Sequence, residues 1–358
     1  MTARLLPLHE EHTALGARMV ESDGWLLPLE FTGAFQEYRA HRSRSVLWDA
    51  SDLGSILVSG PGAFEALQRT FTNDLRRIRP GRSQYTFLLA AADAGVVDDL
   101  MVWWVAEDRF VLTPSRPDPV LRALRATAGP APACTVEDVS GARVLLALQG
   151  AEAVARLAPI VPEAAAMPLF GVREVEVEDG WGLIATTGFG RRLGFELDLP
   201  IAAARAVHRR LIDAGVVPAG LAMRETHRLE SGTPRHGYEL GPSIDPLEAG
   251  CARAVALDTE FVGRAALLAR RADGPTRMLR SVVLDSRQAP STGSELIHNG
   301  AQVGRITSGN YSFRLHRGLG LAFVSPEVPV GSTVCVRTAR GEVGGTVGVV
   351  PVEWEGVR

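Results

Sequence analysis

Two adjacent carboxylates inside an apolar strand constrain this chain more than any other feature. They are Asp98 and Asp99, in the run Val96-Val97-Asp98-Asp99-Leu100-Met101-Val102-Trp103-Trp104. Tyr85-Thr86-Phe87-Leu88-Leu89 precedes that run and Asp93-Ala94-Gly95 lies between, so the stretch reads as a hairpin with apolar strands either side of a turn. Side chains alternate along a strand, so Asp98 and Asp99 must point to opposite faces. Asp99 falls with Val97, Met101 and Trp103, and Asp98 with Val96, Leu100, Val102 and Trp104. Both faces are apolar, and an ionised carboxylate there is costly unless a cation or several donors meet it. On residue types alone two readings stand. Either a buried Arg or backbone N–H groups satisfy the pair for structural reasons, or burial has prepared an acid/base for chemistry.

Composition removes several alternatives. At 358 residues the chain is too long for one simple core, and two or three domains are the default. A hydrophobic content of 46% with 22% charged residues is that of an ordinary globular protein, and a net charge of −3 predicts no overall attraction to nucleic acid or anionic lipid. All 38 basic residues are Arg, which excludes a Schiff-base lysine, a phosphate-loop lysine and a Ser–Lys dyad. Cys134, Cys251 and Cys335 are far apart and form no CxxC pair, and the eight His include no HExxH, so neither a disulfide framework nor a zinc site is expected. The N-terminal apolar residues are interrupted by His9-Glu10-Glu11-His12, and no apolar stretch approaches the ~20 residues needed to cross a bilayer. The expected location is cytoplasmic, without membrane or nucleic-acid partners.

Along the chain, Leu15 to Arg44 reads as mixed helix and loop, and Val46 to Ser59 as a strand ending at Gly60-Pro61-Gly62. Ala63 to Phe71 and Val120 to Ala128 have helical spacing, with a third strand over Arg109 to Thr113 and a linker at Gly129-Pro130-Ala131-Pro132. Strands follow at Val144 to Leu148, Val172 to Val177, Leu183 to Thr187 and Phe195 to Leu199. Helices are predicted over Ala151 to Leu157, Ile201 to Ala214 and Ala219 to Glu230. From Arg280 to Trp354 the chain is short strands with Gly-rich turns, which predicts a small all-β barrel or jelly roll.

Several separated segments combine into a pattern. They are Asp49-Ala50-Ser51-Asp52-Leu53-Gly54, Thr72-Asn73-Asp74, Tyr85, Gly95-Val96-Val97-Asp98-Asp99-Leu100 and Ala147-Leu148-Gln149-Gly150. Thr187-Gly188-Phe189, Gly194-Phe195-Glu196, Arg224-Glu225-Thr226-His227-Arg228-Leu229-Glu230-Ser231-Gly232, Phe261-Val262-Gly263-Arg264 and Gly304-Arg305-Ile306-Thr307-Ser308-Gly309 follow. In this order the chain resembles the aminomethyltransferase (T-protein) family of the glycine cleavage system and its folate-dependent demethylase relatives. The resemblance implies an α+β, three-lobed fold with a central folate cavity and a C-terminal β-barrel. It places the folate-binding region at 1–274, with 49–134 as one subdomain and 1–48 plus 135–274 as the other, and the barrel at 275–358.

The resemblance also implies tetrahydrofolate as cofactor and assigns roles. Asp99 matches the key acid/base, and Glu196 the residue that hydrogen-bonds the 2-amino-pyrimidine edge of the pterin. Tyr85 matches an aromatic of the cavity wall, and Leu53 and Met101 apolar pterin contacts. Trp103 stands where a Tyr is expected. Arg224 and Arg228, four apart on a helix, are suited to a folate tail carboxylate or an anionic substrate, or else to internal salt bridges.

The chain departs from the family pattern near the cavity. Asp52 replaces the usual His of Asp-Val-Ser-His-Met, Arg191-Arg192 replaces an acidic pair, and Pro114-Ser115 stands where an Asn is typical. These changes suggest a one-carbon transferase acting on a small amine or methylated metabolite, with a separate flavoprotein or carrier protein as a further partner. Two alternatives remain: glycine cleavage aminomethyl transfer proper, and a folate-independent enzyme on the same scaffold. The related iron–sulfur maintenance factors are disfavoured, because their Lys-Gly-Cys signature is absent.

Overall fold

In the computed structural model, residues 3–128, 133–187, 194–338 and 341–352 are described; the predicted linker at Gly129–Pro132 and the Arg191-Arg192 pair lie outside them. The chain forms two compact units, Met1–Thr86 with Asp98–Arg224, and Phe87–Val97 with Glu225–Arg358.

The first unit is built on sheets whose strands come from distant parts of the sequence. Six strands run in the order Val172–Val177, Gly180–Ala185, Gly194–Pro200, Arg143–Gln149, Val46–Asp49, Val217–Pro218. The helix Ile201–Asp213 packs on one face, because its buried Ala203, Ala204, Val207 and Leu211 recur at helical spacing and join the core with Leu146, Phe195 and Leu197. A second sheet has the order Arg82–Leu89, Val96–Ala106, Arg109–Pro114, Ile56–Ser59, Thr135–Asp138. The predicted hairpin supplies its first two strands.

Two stretches differ from their sequence reading. Within Leu15–Arg44, Arg18–Ser22 and Trp25–Glu30 form a hairpin that joins Arg4–Leu5 in a three-stranded sheet, followed by the helix Ala34–Ser43. Its turn is Asp23-Gly24, with φ of 50° and 80°, the two positive angles that a tight hairpin with native twist requires. Val46–Ser59 is two strands, Val46–Asp49 and Ile56–Ser59, in different sheets. A turn interrupts them: Ser51 N–H donates to Asp49 Oδ1 (2.9 Å), and Leu145 N–H donates to Ser51 Oγ (3.0 Å).

The second unit contains a closed barrel, which meets the all-β prediction. Its strands run Met278–Leu284, Arg317–Val324, Ala301–Ser312, Glu295–His298, Thr333–Thr338, Gly341–Gly348. Val282, Leu284, Leu296, Ile306, Ala322, Val334, Val336 and Val347 fill it. This unit also takes in the hairpin tip, where Val96 N–H donates to Ile244 O (2.9 Å). Ala94 carries the left-handed φ of 58°, whereas Gly95 is needed for closeness, since a Cβ there would stand 1.8 Å from Pro242 O. The fold is α+β with a C-terminal β-barrel.

Candidate active site

Along the strand Val96–Ala106, Asp98 is fully buried and Asp99 half-buried, on opposite faces as side-chain alternation predicts. Asp98 is met by backbone donors. Asp99 N–H reaches its Oδ1 at 2.8 Å, and Arg116 N–H its Oδ2 at 2.7 Å. Burial first, and then the charge of neighbouring Asp99, push the Asp98 carboxyl up to about 8; the amides of Arg116, Asp99 and Ser115 oppose the shift. Near neutral pH Asp98 therefore holds its proton. The Pro114-Ser115 departure thus falls where the backbone turns to cap Asp98.

Asp99 Oδ2 accepts from the Tyr85 hydroxyl at 2.8 Å. Tyr85 is itself fixed by Thr72-Asn73-Asp74. Asn73 Nδ2 donates to Tyr85 O (2.8 Å), and Asn73 N–H donates to Thr86 Oγ1 (3.0 Å). Asp74 closes that segment by accepting from Arg76 N–H (3.0 Å), and the Arg76 guanidinium beside it, met first as a side-chain hydrogen bond, holds its carboxyl below the usual range.

Glu196 is built differently. Register sets Ala185, Glu196, Ala147 and Trp48 in one row across four strands, so a carboxylate stands between two alanines on one sheet face. Its Oε2 is buried with no hydrogen-bond partner among the described residues. Burial pushes the Glu196 carboxyl up to about 7, against the Thr187 hydroxyl and the Arg224 guanidinium beside it. Gln149 positions this corner: its Nε2 donates to Thr187 O (3.0 Å), and its side chain occupies the place a Cβ on Gly194 would need.

Arg224 lies in the helix Leu221–Ser231, with its guanidinium carbon 5.9 Å from the Trp48 ring centre and Nη1 3.7 Å from Asp52 Oδ1. It lines a pocket together with Trp48, Phe31, Leu221, His12 and His208. Below, His12 Nε2 bonds Asp49 Oδ2 (2.9 Å) and so braces the turn that carries Asp52. Burial, then proximity to His12, pushes the His208 imidazole down to about 4, leaving it neutral.

The remaining predicted residues divide. Leu53 and Met101 are half-buried in the first unit, as an apolar lining would be, while Trp103 is 0% exposed and sits wholly in the sheet's core. Arg228 belongs to the second unit, where its donors are already taken: Nε by Glu225 (2.7 Å), Nη1 by Glu239 (3.0 Å) and Nη2 by Ser308 (2.9 Å). It is an internal ion-pair residue there, the other reading open to it from sequence. Asp98, Thr187, Trp48 and the Asp52–Arg224 pair were not assigned roles from sequence, although Asp52 was visible as a departure from the motif.

A tetrahydrofolate fits these groups. A buried carboxylate oxygen without a donor suits the N–H edge of a pterin, and a guanidinium that donates no hydrogen bond among the described residues suits an acceptor of the ligand.

Comparison with known proteins agrees. The family model for the GCVT N-terminal domain matches residues 8–259, and that for the glycine cleavage T-protein C-terminal barrel domain matches residues 277–352. An aminomethyltransferase of Rubrobacter xylanophilus is 37% identical over 341 residues, covering 94% of this chain and 91% of that protein. One from Synechococcus elongatus is 36% identical over 350 residues, covering 95% and 94%. The crystal structure of the glycine cleavage system aminomethyltransferase T from Bartonella henselae superposes with a TM-score of 0.89 at 30% identity, covering 98% of both chains. This chain is an enzyme of the aminomethyltransferase (glycine cleavage T-protein) family, a family of tetrahydrofolate-dependent one-carbon transferases.

Proposed function

We propose that the chain moves the one-carbon unit of a carrier-bound aminomethyl group to tetrahydrofolate, as in glycine cleavage. The observation that carries the reading is Asp99: of two adjacent buried-strand carboxylates it is the one open to a ligand, and the Tyr85 hydroxyl holds it. The motif departures taken alone favour a small amine or methylated donor. Identity of 36–37% over at least nine-tenths of the chain with proteins named aminomethyltransferase weighs more for the carrier-bound donor.

When bound, tetrahydrofolate supplies the pterin nitrogens that take up the one-carbon unit. Asp99 stabilises positive charge developing at nitrogen and accepts or relays the proton. Tyr85 holds the Oδ2 of Asp99 in place, and Asp98, still protonated, adds no second negative charge behind it. Glu196, once ionised, accepts from the N–H edge of the pterin, and Arg224 beside it presents its guanidinium to an acceptor of the ligand. Leu53, Met101 and Tyr85 supply apolar contact. Trp103 contributes by packing in the sheet's core, and Arg228 by fixing the second unit's own charge network.

The test supplies the purified chain with tetrahydrofolate and either an aminomethylated lipoyl carrier protein or a free methylated amine. Ammonia and methylene-tetrahydrofolate from the carrier are expected. A folate product from the free amine alone would favour the second reading, to which the Asp52–Arg224 pairing lends weight. No folate product from either donor would exclude both.

A further inference from the structure

Three buried polar atoms in the corner around Gly194 have no hydrogen-bond partner among the described residues: Glu196 Oε2, Gln149 Oε1 and Thr187 Oγ1. Glu196 is accounted for by the pterin edge. Gln149 is not, although it is 0% exposed. Leaving a buried acceptor unpaired is unfavourable, so Gln149 Oε1 needs a donor that the described residues do not supply.

The neighbouring carbonyl settles which end of the Gln149 amide is bare. Nε2 donates to Thr187 O (3.0 Å), and a carbonyl oxygen only accepts, so turning the amide over would set two acceptors against each other. Oε1 is therefore a fixed acceptor. Register sets its place. Gln149 pairs with Gly194, and Ala147 with Glu196, across the same two strands. Gln149 and Glu196 thus share one sheet face as diagonal neighbours, about 7–8 Å apart at the backbone and within reach of long side chains. Gly194 has no side chain, and the Gln149 amide lies in the space that a Cβ there would fill. A bare carboxylate oxygen and a bare carboxamide oxygen border one corner.

A 2-amino-pyrimidine edge carries three N–H bonds, one on the ring and two on the amino group. A carboxylate in the plane of the ring meets two of them, the ring N–H and the amino N–H beside it, as it would meet a guanidinium. The third then needs its own acceptor, because burying it unpaired costs affinity. We propose that Gln149 Oε1 is that acceptor, which makes Gln149 a specificity-determining residue for a 2-amino group bearing both hydrogens. The proposal rests on the folate reading above and deepens it at the same site.

Anaerobic calorimetric titration at about pH 8.5, where Glu196 is ionised, tests this with the full chain and with Gln149→Ala. Each is titrated with tetrahydrofolate and with its 2-methylamino analogue, in which a methyl replaces one amino hydrogen. The unmodified chain should bind the analogue at least roughly tenfold more weakly than tetrahydrofolate, because a methyl meets Gln149 Oε1 in place of an N–H. Gln149→Ala should bind tetrahydrofolate roughly tenfold more weakly and should discriminate between the two ligands less than about twofold, since the short side chain neither accepts the N–H nor crowds the methyl. Loss of the hold on Thr187 would weaken both ligands alike. Equal losses, unchanged tetrahydrofolate affinity, or no detectable binding of the analogue by either protein would therefore overturn the proposal and leave the folate reading intact. Where Gln149→Ala does not fold, NMR decides on the unmodified chain with tetrahydrofolate labelled with nitrogen-15 in the 2-amino group. Two separate amino protons protected from solvent exchange are expected, and only one protected proton would overturn the proposal. Failure of the unmodified chain to bind tetrahydrofolate would overturn the folate reading and this proposal with it.

Discussion

The Tyr85 hydroxyl donates to Asp99 Oδ2 across 2.8 Å between two strands of one sheet. A general acid or base works only when its reacting oxygen is held within hydrogen-bond reach of the proton it moves. Asp99→Asn keeps the side chain's shape but removes its charge and basicity. Turnover should fall by about 10²–10⁴-fold, with the thermal melt nearly unchanged. Tyr85→Phe should cost roughly tenfold or less, since it loosens Asp99 without removing it. Steady-state assays and circular dichroism on both variants check this, and full activity in Asp99→Asn would remove Asp99 from the mechanism.

Asp98 makes stability depend on pH. Its folded carboxyl titrates at about 8, far above an unfolded Asp, so the folded state binds more protons over the interval between. The stabilisation is fully present below about pH 4 and is lost as pH rises through about 8, on the order of a few kcal/mol. Asp98→Asn should flatten that slope. It should also be less stable than the parent at pH 5 by about 1–3 kcal/mol, because its NH₂ must face either the Asp99 or the Arg116 N–H. Urea denaturation of both proteins across the interval measures the difference.

Glu196 should make folate binding titrate near neutrality. Its carboxyl is held up to about 7, so below that pH a proton occupies the acceptor that the pterin edge needs. Affinity for tetrahydrofolate is expected to rise between about pH 6 and 8, and to be flat there in Glu196→Gln. Glu196→Ala should weaken binding by about 1–3 kcal/mol. A pH profile of the dissociation constant that is the same in parent and Glu196→Gln would contradict the pose.

Glu37 is buried at 0% exposure and accepts three backbone donors: Phe31 N–H (2.6 Å), Thr32 N–H (3.0 Å) and Gly220 N–H (2.9 Å). The last of these fixes the start of the helix that carries Arg224. Glu37→Gln should lower stability by about 1–3 kcal/mol, and it should raise KM for tetrahydrofolate more than it lowers kcat. An unchanged KM would show that the clasp does not reach the site. Gly220→Ala tests the same point sterically, since a Cβ there would fall 2.3 Å from the Leu29 backbone.

Much of this site is legible from residues alone, and the limit has a physical cause. Alternation along a strand is local geometry, so the sequence by itself determined that Asp98 and Asp99 lie on opposite apolar faces, where an ionised carboxylate needs a cation or several donors. Short strands with Gly-rich turns marked the C-terminal barrel, and the absence of Lys excluded whole reaction classes outright. What meets a buried charge is a matter of which distant segments pair. No local pattern shows that Arg116 N–H caps Asp98, that two alanines on neighbouring strands flank Glu196, or that Glu239 and Ser308 occupy the donors of Arg228. Asp52 was visible as a departure, but only the tertiary structure set it 3.7 Å from Arg224, because long-range strand and helix placement decides the partner and sequence spacing does not.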